Sequence, residues 1–423
     1  MADALLDELE WRGLVAQISN REGLAQYLAG GSRTLYCGFD PTADSLHIGS
    51  LVPLLLLRRF QLAGHRPILL LGGATGMIGD PSFKDDERSL NDAGTVSAWV
   101  ESLQRQVEPF LEFEGNAAAM IVNNLDWTQN MDVISFLREI GKHFSVNAMI
   151  QRDSVRNRLE RADQGISYTE FSYMLLQSMD FLKLAESHEC QLQIGGQDQW
   201  GNIVSGVDLI RRHLSREAFA LTHPLVTKAD GTKFGKTAGG AVWIDPRKTS
   251  PYSFYQFWLN SADADVVNYL KFFTFLEQAE IASLQQQTDT APEQRAAQKR
   301  LAAEITALVH GADAVASAQR ISDALFGGEL SALQFDDLQQ LQLDGMDASV
   351  AQQGDGLLSV MVEAGVAKST GEARKLVQGG GVRLNGAPVQ DPRLELDFAN
   401  ALYGEFFVLR KGKKVYHLVS KAA

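Results

Sequence analysis

The segment YCGFDPTADSLHIGS, Tyr36 to Ser50, decides the fold predicted for this chain. It opens on alternating aromatic and small residues, which is typical of a β-strand, and continues into the turn-forming residues DPT. Ser45 can cap a helix that the sequence predicts from about Leu46 through Leu62. A second strand, PILLLGG, follows at Pro67 to Gly73. Strand, helix and strand in close succession predict a βαβ unit of an α/β fold with a parallel sheet.

The start of the predicted helix carries the first functional signal. His47 lies in its first turn, and Gly49 follows two residues later. A helix N-terminus offers unpaired N–H groups and partial positive charge to an anion, and an imidazole there can donate to a phosphate oxygen. Because Gly49 has no Cβ, a flat base can lie against its backbone. These residues favour a nucleotide site, and an ordinary βαβ turn is the alternative.

Length and composition predict a soluble globular protein of two to three domains. The chain has 423 residues, of which 45% are apolar and 22% are charged. We find no signal peptide and no long apolar run, and therefore expect a cytoplasmic protein without a membrane span. Cys37 and Cys190 lie far apart, which argues against a disulfide framework and fits a reducing compartment. No spacing of Cys and His indicates zinc, so we expect no tightly bound metal.

Charge is distributed unevenly along the chain. The formal net charge is −13, which argues against nucleic-acid binding over the whole surface. From Leu357 to the end, however, ten Lys and Arg stand against six Asp and Glu, a net charge of +4. A basic C-terminal module on an acidic body predicts that this module meets an acidic partner.

The chain changes character several times. Strand and helix patterns alternate over 34–225, and the strands MIVNNLDW and CQLQIGG end in polar residues or glycines, where parallel sheets bind ligands. Helical patterns then replace the strands, and an acidic, glycine-bearing stretch without Lys or Arg follows. We therefore predict a Rossmann-like catalytic domain at 1–248, an α-helical domain at 249–326, a linker at 327–356 with a short helix at Asp336 to Gln342, and a small α+β domain at 357–423.

One predicted helix, in YTEFSYMLLQSMDFL, carries polar residues where an apolar stripe is expected. Tyr173, Gln177 and Asp180 are spaced i, i+4 and i+7, which places them on one face of a helix. A phenol, an amide and a carboxylate in line on a buried face can bind a polar small molecule. On spacing alone, an exposed polar face is equally consistent with the pattern.

Two strand ends run into glycines and a carboxylate. The stretch LLLGGATGMIGDPS leads to Asp80, with Lys84 and Arg88 downstream. The stretch IGGQDQWGN holds Gly196, which permits close approach of a ligand, and Asp198, where carboxylates grip ribose hydroxyls in nucleotide folds. A tight turn and a solvated charge run are the alternatives for these two stretches.

The stretch TKADGTKFGKT, at 227–237, holds three lysines and two glycines in eleven residues. Such a loop is mobile and positively charged, so it can close over a polyphosphate and supply charge as a leaving group departs. Read alone, it can also be a surface loop with incidental lysines.

Taken in order, these stretches resemble one family closely. HIGS is similar to the HIGH signature of class I aminoacyl-tRNA synthetases, and KFGKT is similar to their KMSKS loop. Together with YCGFDPTADSLHIG, the Tyr–Gln–Asp stripe and GGQDQWGN, they resemble the bacterial tyrosyl-tRNA synthetases over nearly the whole chain. The C-terminal module resembles an S4-type RNA-binding domain, and the helical part corresponds to an anticodon-binding domain. Ser50 replaces the second His of HIGH, and Phe234 and Gly235 replace the Met and Ser of KMSKS, whereas both lysines are kept.

The resemblance implies a role for each matching position. Tyr36 and Asp180 would hold the phenol of the substrate tyrosine. Its ammonium group would be held by Asp80, Tyr173 and Gln177, and Gln193 and Gln199 would support that pocket. The ribose of ATP would be contacted by Cys37, Gly38, Gly196 and Asp198. The rest of ATP would be contacted by Asp40, Thr42, His47, Gly49 and Ser50. The departing pyrophosphate would meet four cations: Lys84, Arg88, Lys233 and Lys236.

The resemblance also implies a two-step reaction. The carboxylate of L-tyrosine attacks the α-phosphate of ATP, which carries Mg²⁺, and a ribose hydroxyl at the 3′ end of tRNA(Tyr) then takes the tyrosyl group. Catalysis would come from alignment and from positive charge where negative charge develops. The family is dimeric, so we expect a homodimer with an interface insertion around 125–165. Phosphates of the tRNA would be met by basic residues of the C-terminal domain: Lys368, Arg374, Lys375, Arg383, Arg410, Lys411, Lys413 and Lys414.

Two other functions stay open on the sequence. One is the related enzyme that activates tryptophan, against which Asp180 and Tyr36 argue because an indole offers one donor in a different place. The other is a synthetase-like RNA chaperone or splicing factor that binds RNA without catalysis, for which Ser50 is the single supporting residue.

Overall fold

The computed structural model describes residues 2–80, 91–152, 155–156, 159, 165–232, 234–237, 240–327, 329–412 and 415–422. The chain divides into two compact units, the first comprising 1–244 and 262–292 and the second comprising 245–261 and 293–423.

In the described part of the chain, the strands form two larger sheets and one small ribbon. In chain order, the strands are β1 Gln17–Ile18, β2 Thr34–Phe39, β3 Arg66–Leu71, β4 Met120–Asn123, β5 Cys190–Gly196, β6 Phe219–His223, β7 Lys236–Thr237, β8 Gly240–Ala241, β9 Ala348–Ala351, β10 Val382–Leu384, β11 Ala387–Pro388, β12 Phe406–Lys411 and β13 Val415–Lys421. The first unit holds a six-stranded sheet of order β1–β6–β5–β2–β3–β4. Only β1 is antiparallel to its neighbour, so the predicted parallel α/β sheet is confirmed.

The helices cover the sheet and build the rest of both units. In chain order, the described α-helices are α1 Ala2–Trp11, α2 Arg21–Ala29, α3 Leu51–Leu62, α4 Thr75–Ile78, α5 Ala93–Val107, α6 Leu125–Thr128, α7 Val133–Ser135, α8 Val146–Ile150, α9 Tyr168–His188, α10 Trp200–Leu214, α11 Pro251–Leu259, α12 Asp263–Phe273, α13 Gln278–Thr290, α14 Ala296–His310, α15 Ala312–Leu325, α16 Phe335–Gln340, α17 Leu357–Glu363 and α18 Thr370–Gln378. Within the described ranges, we find no helix with the length and apolar character needed to cross a bilayer.

The central strands are buried because their sequences are apolar on both faces. β3 reads RPILLL and is buried from its second residue onward, which is typical of a parallel strand covered on two sides. α3 reads LVPLLLLRRFQL and buries nine of its twelve residues, among them Leu54 to Leu57. α9 packs against α10 and joins the core cluster that includes Tyr36, Ile68 and Phe181. The carboxyl ends of β2 and β5 are thereby fixed side by side.

The predicted start of the first crossover helix is wrong by several residues. α3 begins at Leu51, and a 3-10 turn over Ile48–Ser50 precedes it, with His47 as the N-cap residue. Ser45 does not cap this helix, because its hydroxyl is hydrogen-bonded to the Leu46 carbonyl at 2.8 Å and to Gln106 Oε1 at 3.1 Å. The glutamine on α5 thus holds the loop that the sequence assigns to the helix.

The second unit combines helices with a five-stranded sheet of order β11–β10–β12–β13–β9. α11 belongs to this unit because its first N–H groups are bound there: Ser250 N donates to Asp344 Oδ2 at 3.0 Å and Tyr252 N to Gln340 Oε1 at 2.9 Å. The division therefore differs from the boundary predicted at 248, since 245–261 lies in the second unit whereas α12 and α13 lie in the first.

The predicted linker at 327–356 contains regular structure. α16 occupies most of the short helix predicted there, and a π-helical turn over Leu341–Gly345 follows it. β9 pairs in parallel with β13, so the C-terminal sheet begins before the predicted boundary at 357. Two tyrosines tie this module to the preceding helices of its unit, since the hydroxyls of Tyr403 and Tyr416 donate to the carbonyls of Leu333 and Leu325.

Candidate active site

A cavity of about 320 Å³ opens at the carboxyl ends of β2 and β5 in the first unit. The structure brings together here all of the described side chains and glycines of that unit for which the sequence predicts a site: Tyr36, Cys37, Gly38, Asp40, Thr42, His47, Gly49, Ser50, Asp80, Tyr173, Gln177, Asp180, Gln193, Gly196, Asp198 and Gln199. The helical stripe of α9 therefore faces the cavity rather than solvent, which decides between the two alternatives that the spacing left open.

The four cations predicted to meet pyrophosphate are not placed by the structure. Lys84, Arg88 and Lys233 lie outside the described residues. The backbone of Lys236 opens β7, and its side chain lies outside the described part of the chain. Their contacts with the cavity stay predictions.

The closed end of the cavity is formed by Asp180 and Tyr36, both almost fully buried. Asp180 accepts hydrogen bonds from Asn124 Nδ2 at 2.9 Å and from Trp127 Nε1 at 2.8 Å. Burial raises the pKa of Asp180 to about 7, although these two donors oppose the shift. The Tyr36 ring packs on Phe181 with centroids 5.2 Å apart, and burial followed by the nearby Asp180 charge raises the pKa of its hydroxyl.

The Tyr36 hydroxyl is a buried polar atom without a hydrogen-bond partner in the described structure. Leaving such a group unpaired costs about 1–3 kcal/mol, so the Tyr36→Phe variant should be as stable as the parent or up to about 1 kcal/mol more stable. Thermal and urea unfolding of the two proteins without ligand would measure this. A clear loss of stability in Tyr36→Phe would show that the hydroxyl is already satisfied inside the fold.

The carboxylate of Asp180 is positioned by residues that the sequence analysis did not single out. Asn124 is fully buried; its Oδ1 accepts from the Ala74 N–H at 2.7 Å, and its Nδ2 also contacts Thr75 Oγ1 at 3.0 Å. Thr75 in turn donates to Asp40 Oδ1 at 2.6 Å. The available signal was the polar ending of MIVNNLDW, which places Asn124 and Trp127 directly after β4.

The same network reaches the middle of the cavity. The Tyr173 hydroxyl donates to Asp40 Oδ2 at 2.6 Å, and burial, with the Asp40 charge next in weight, raises its pKa. Asp40 also lies close to the backbone at Gly72, where a Cβ would be 2.0 Å from its Oδ1. Asp180 and Asp40 are therefore linked through Asn124 and Thr75, and both carboxylates have fixed orientations.

A second pair of carboxylates, those of Asp80 and Asp198, lies near the end of β5. Gln199 Nε2 donates to Asp80 Oδ2 at 2.6 Å, and Gln199 Oε1 accepts from Asn202 Nδ2 at 3.2 Å. Burial, followed by the charge of Asp80, raises the pKa of Asp198. Gly196 leaves room for this carboxylate at the turn into the segment, because a Cβ there would lie 2.3 Å from Asp198 Oδ1.

Three further cavity residues have buried polar atoms without a partner in the described structure: Gln177 Oε1, Gln193 Oε1 and His223 Nε2. Together with the Tyr36 hydroxyl, they give the cavity hydrogen-bonding capacity that the protein itself does not use. Burial lowers the pKa of His223 to about 4, so its imidazole is neutral at physiological pH. A bound molecule with several polar groups would satisfy these atoms.

At the entrance, the imidazole of His47 is held by the 3-10 turn that follows it. His47 Nδ1 accepts from the Gly49 N–H at 3.0 Å, which assigns the ring proton of the neutral imidazole to Nε2. A Cβ at Gly49 would lie 2.8 Å from the imidazole, so this position needs glycine for close approach. An N–H donor is thus fixed at the mouth of the cavity beside the start of α3.

Comparisons with known proteins show the family of this chain. The family model described as class I tRNA synthetases (W and Y) matches residues 29–327, and the tyrosine–tRNA ligase SYY-like C-terminal domain matches residues 337–419. Proteins named tyrosine–tRNA ligase from Laribacter hongkongensis and Escherichia coli are respectively 54% and 53% identical, each over 98% of this chain and 98% of their own. This chain belongs to the tyrosine–tRNA ligase family. The match to the second family model begins before β9, in line with the sheet boundary described above.

Solved structures of the family share the fold of about three quarters of the chain. The C-terminally truncated mitochondrial tyrosyl-tRNA synthetase of Aspergillus nidulans has a TM-score of 0.69 and 30% identity, covering 76% of this chain and 94% of its own. The corresponding protein of Coccidioides posadasii has a TM-score of 0.65 and 31% identity, covering 74% and 90%. A tryptophanyl-tRNA synthetase of Giardia lamblia, at 14% identity, a TM-score of 0.56 and coverage of 72% and 84%, shows the shared fold alone.

The basic residues predicted to bind RNA in this family member occupy different environments in the C-terminal module. Arg374 and Lys375 are exposed on α18, and Arg383 is exposed on β10. Lys411 is instead engaged inside the module, because its Nζ donates to the Val366 carbonyl at 2.7 Å. Lys368 is exposed before α18, and Arg410 packs on the Tyr416 ring. Lys413 and Lys414 lie outside the described residues.

Proposed function

We propose that this chain is a tyrosine–tRNA ligase that activates L-tyrosine with ATP and transfers the tyrosyl group to tRNA(Tyr). The observation that carries the proposal is the position of Tyr36 near Asp180 at the closed end of the cavity, within a chain similar over 98% of its length to proteins of that name. A charged acceptor and a hydroxyl without a partner suit a phenolic O–H, which can donate to the first and bond with the second.

The polar groups in the middle of the cavity suit the other end of the amino acid. Asp80, Tyr173 and Gln177 would receive the ammonium group of tyrosine, and Gln193 and Gln199 would support them. A carboxylate and an amide oxygen are acceptors that an ammonium can satisfy, and Gln177 Oε1 has no partner within the described protein. The substrate would thus be held at both ends, with its carboxylate directed toward the cavity mouth.

The mouth of the cavity would hold ATP together with its Mg²⁺. Cys37, Gly38, Gly196 and Asp198 would contact the ribose at the carboxyl ends of β2 and β5, where α/β sheets bind nucleotides. The phosphates would lie toward the entrance positions Asp40, Thr42, His47, Gly49 and Ser50. Four cations are proposed to neutralise the departing pyrophosphate: Lys84, Arg88, Lys233 and Lys236.

In the first step, the tyrosine carboxylate oxygen attacks the α-phosphorus of ATP and the bond to the pyrophosphate oxygen breaks. In the second step, a ribose hydroxyl at the 3′ end of the tRNA attacks the tyrosyl carbonyl and AMP leaves. No protein nucleophile takes part, so the protein contributes alignment and electrostatic stabilisation. The family's reaction belongs to protein synthesis, and we propose a cytoplasmic location, which the two buried free cysteines support.

An amino-acid-dependent ATP–pyrophosphate exchange assay, run separately with all twenty amino acids, tests the proposal. We expect exchange with tyrosine and none above background with the others. Exchange with tryptophan and not with tyrosine would assign the chain to the related enzyme instead. Binding of tRNA without exchange for any amino acid would favour an RNA-binding protein that lacks catalysis.

The raised pKa of Asp180 makes tyrosine binding depend on pH in a stated direction. With a pKa of about 7, only about a tenth of this carboxyl is ionised at pH 6, against about nine tenths at pH 8. Because the ionised form is the acceptor for the phenol, the Kd for tyrosine should fall by roughly tenfold from pH 6 to pH 8. The nearby Tyr36 hydroxyl stays protonated across this range because its pKa is raised further above 10.

Equilibrium titration of the protein with tyrosine at pH 6, 7 and 8 measures this dependence. Phenylalanine provides the matched control, since it lacks the hydroxyl and any weak binding should change much less. A tyrosine Kd that is constant over this range would contradict the ionisation assigned to Asp180.

We also propose that the protein is a homodimer that associates through the segment from α7 to α8. Five apolar side chains of this segment are strongly exposed in the single chain: Val133, Ile134, Leu137, Val146 and Ile150. Exposed apolar groups clustered along one segment are typical of an interaction surface. Their position agrees with the insertion around 125–165 expected from the family resemblance.

A charge in this apolar surface should break the dimer. The Ile134→Glu variant is expected to weaken self-association by at least roughly tenfold, because a symmetric interface would contain the substitution twice. Analytical ultracentrifugation should show about twice the 46.4 kDa chain mass for the parent and a shift toward monomer for the variant. Leu62→Glu, at an equally exposed position outside this segment, is the control, and equal behaviour of both variants would place the interface elsewhere.

A further inference from the structure

A second cavity, of about 350 Å³, lies at the amino ends of the strands of the six-stranded sheet, whereas the candidate active site lies at their carboxyl ends. It is formed where β2, β3 and β5 begin, since Thr34 and Arg66 are the first residues of β2 and β3 and are register partners. We call it the arginine cavity, because Arg33, Arg66 and Arg216 line it. None of these residues has a role in the proposed tyrosine and ATP chemistry.

The charge lining the arginine cavity is positive in an acidic protein. Three guanidinium groups face one carboxylate, that of Glu189, whereas the chain as a whole has a net charge of −13. Within the described residues, none of the three arginines has a carboxylate oxygen within the 4.0 Å that defines an ion pair. Three arginines without a carboxylate partner around one concavity attract an anion and disfavour a cation.

Two buried donors in the arginine cavity lack a partner in the described structure. The Thr34 side chain is 2% exposed and its Oγ1 makes no hydrogen bond, and Arg66 Nε is buried without an acceptor. A buried donor left unpaired costs about 1–3 kcal/mol, and more when it is charged. The two atoms belong to register partners on adjacent strands, so one small acceptor group can be reached from both sides.

The third donor of the cavity is held in place before any ligand binds. Arg33 Nε donates to the Tyr27 carbonyl at 2.7 Å, and its guanidinium carbon lies 4.7 Å from the centre of the Tyr27 ring. The Nη2 of Arg33 also lies over Gly30, where a Cβ would be 2.1 Å away. Fixing a long side chain in this way removes part of the entropy cost of binding.

We propose that the arginine cavity is a binding site for a phosphate group, either free phosphate or a small phosphate ester. A tetrahedral oxyanion offers several acceptor oxygens, so it can bind guanidinium groups and a hydroxyl donor at the same time. A planar carboxylate has only two oxygens and satisfies fewer of these donors. The cavity is larger than phosphate alone requires, so it has room for a small organic group attached to the phosphate. Glu189 stands on the rim and would repel a highly charged polyphosphate.

Isothermal titration calorimetry of the full chain with inorganic phosphate and with glycerol 3-phosphate tests this site. Ionic strength is held constant with sodium chloride, and acetate serves as the control anion. We expect phosphate to bind more tightly than acetate, and the Arg66→Gln and Arg216→Gln variants to weaken phosphate binding by roughly tenfold or more, as expected for loss of one charge-assisted hydrogen bond. Arg105→Gln, an exposed position on α5, should bind phosphate within twofold of the parent.

Tyrosine-dependent exchange in the same variants separates this proposal from the proposed function, because both should retain exchange within twofold of the parent. If Arg66→Gln proves poorly folded, the exposed Arg216→Gln decides the outcome. Tighter binding of glycerol 3-phosphate than of phosphate would assign the site to esters, and equal binding would assign it to free phosphate. Phosphate affinity no greater than that for acetate, or undiminished in both variants, would overturn the proposal.

Discussion

The Asp180→Ala variant is expected to reduce kcat/KM for tyrosine activation by at least about 100-fold. A hydrogen bond to a charged group contributes about 1.5–3 kcal/mol, which corresponds to roughly 10- to 150-fold. The loss should fall at the upper end of that range, because the substrate phenol would then meet an apolar wall. The Tyr36 hydroxyl, which has no hydrogen-bond partner in the described structure, would also lose the nearby negative charge of Asp180.

Removal of this carboxylate also leaves two protein donors unpaired. Asn124 Nδ2 and Trp127 Nε1 both donate to Asp180, so the alanine variant should be less stable as well as less active. Asp180→Asn preserves the shape and one acceptor oxygen, and should therefore be more stable than the alanine variant while still losing the charge that the phenol requires. Activity and thermal unfolding of both variants should be measured together.

A control variant and a second measurement distinguish loss of tyrosine binding from loss of the folded structure. Asp126→Ala removes an exposed carboxylate two residues after Asn124 and should leave exchange within twofold of the parent. Affinity for tRNA(Tyr), measured by filter binding, should be unchanged in Asp180→Ala, because the carboxylate is buried and is not available to a macromolecule at the protein surface. Normal tyrosine activation by Asp180→Ala would show that the phenol is bound elsewhere.

The central sheet and most of the candidate site could be predicted because both depend on local sequence. An apolar run such as RPILLL identifies a strand buried on two faces, and the spacing of Tyr173, Gln177 and Asp180 identifies a helical face. The structure brings both features to one cavity because the carboxyl ends of parallel strands share an edge of the sheet. The roles assigned to individual side chains depend on the family resemblance, and stay predictions.

What the sequence did not reveal depends on contacts between distant residues. Asn124 and Trp127 bind a carboxylate more than fifty positions away, and the polar ending of MIVNNLDW does not indicate which residue they bind. Ser45 has the composition of a helix cap, yet it is bound to Gln106 on another helix. β9 lies in a stretch with linker composition and forms a strand because it pairs with β13, some seventy residues later in the chain. The local sequence therefore gives no indication of this strand.

The two units of the structure are divided differently from the boundary predicted at 248 for a similar reason. The helical pattern of residues 250–326 is continuous in sequence, so it predicts one helical domain. The structure divides it because α11 has its first N–H groups bound by Gln340 and Asp344, whereas α12 and α13 pack in the first unit. Helical periodicity shows which residues form helices and carries no information on which unit each helix joins.

The second large effect is expected at the cavity mouth. The His47→Ala variant should reduce kcat for tyrosine activation by about 100-fold or more, since loss of one donor aimed at developing negative charge typically costs about 10²–10³ in rate. The KM for tyrosine should change little, because Tyr36 and Asp180 bind the amino acid at the closed end. Stopped-flow measurement of adenylate formation separates these two quantities. His213→Ala, on the exposed face of α10, is the control.

The orientation of His47 can be tested without removing it. In the Gly49→Ala variant, the new Cβ would lie 2.8 Å from the imidazole and would push the ring away from the backbone N–H that it accepts from. The backbone of Gly49 does not require positive φ, so alanine should fold there with the imidazole displaced. If Nε2–H acts from its observed position, Gly49→Ala should lower the rate of adenylate formation in the same direction as His47→Ala, by a smaller factor. An unchanged rate in Gly49→Ala, together with a strong loss in His47→Ala, would show that the imidazole acts from another rotamer.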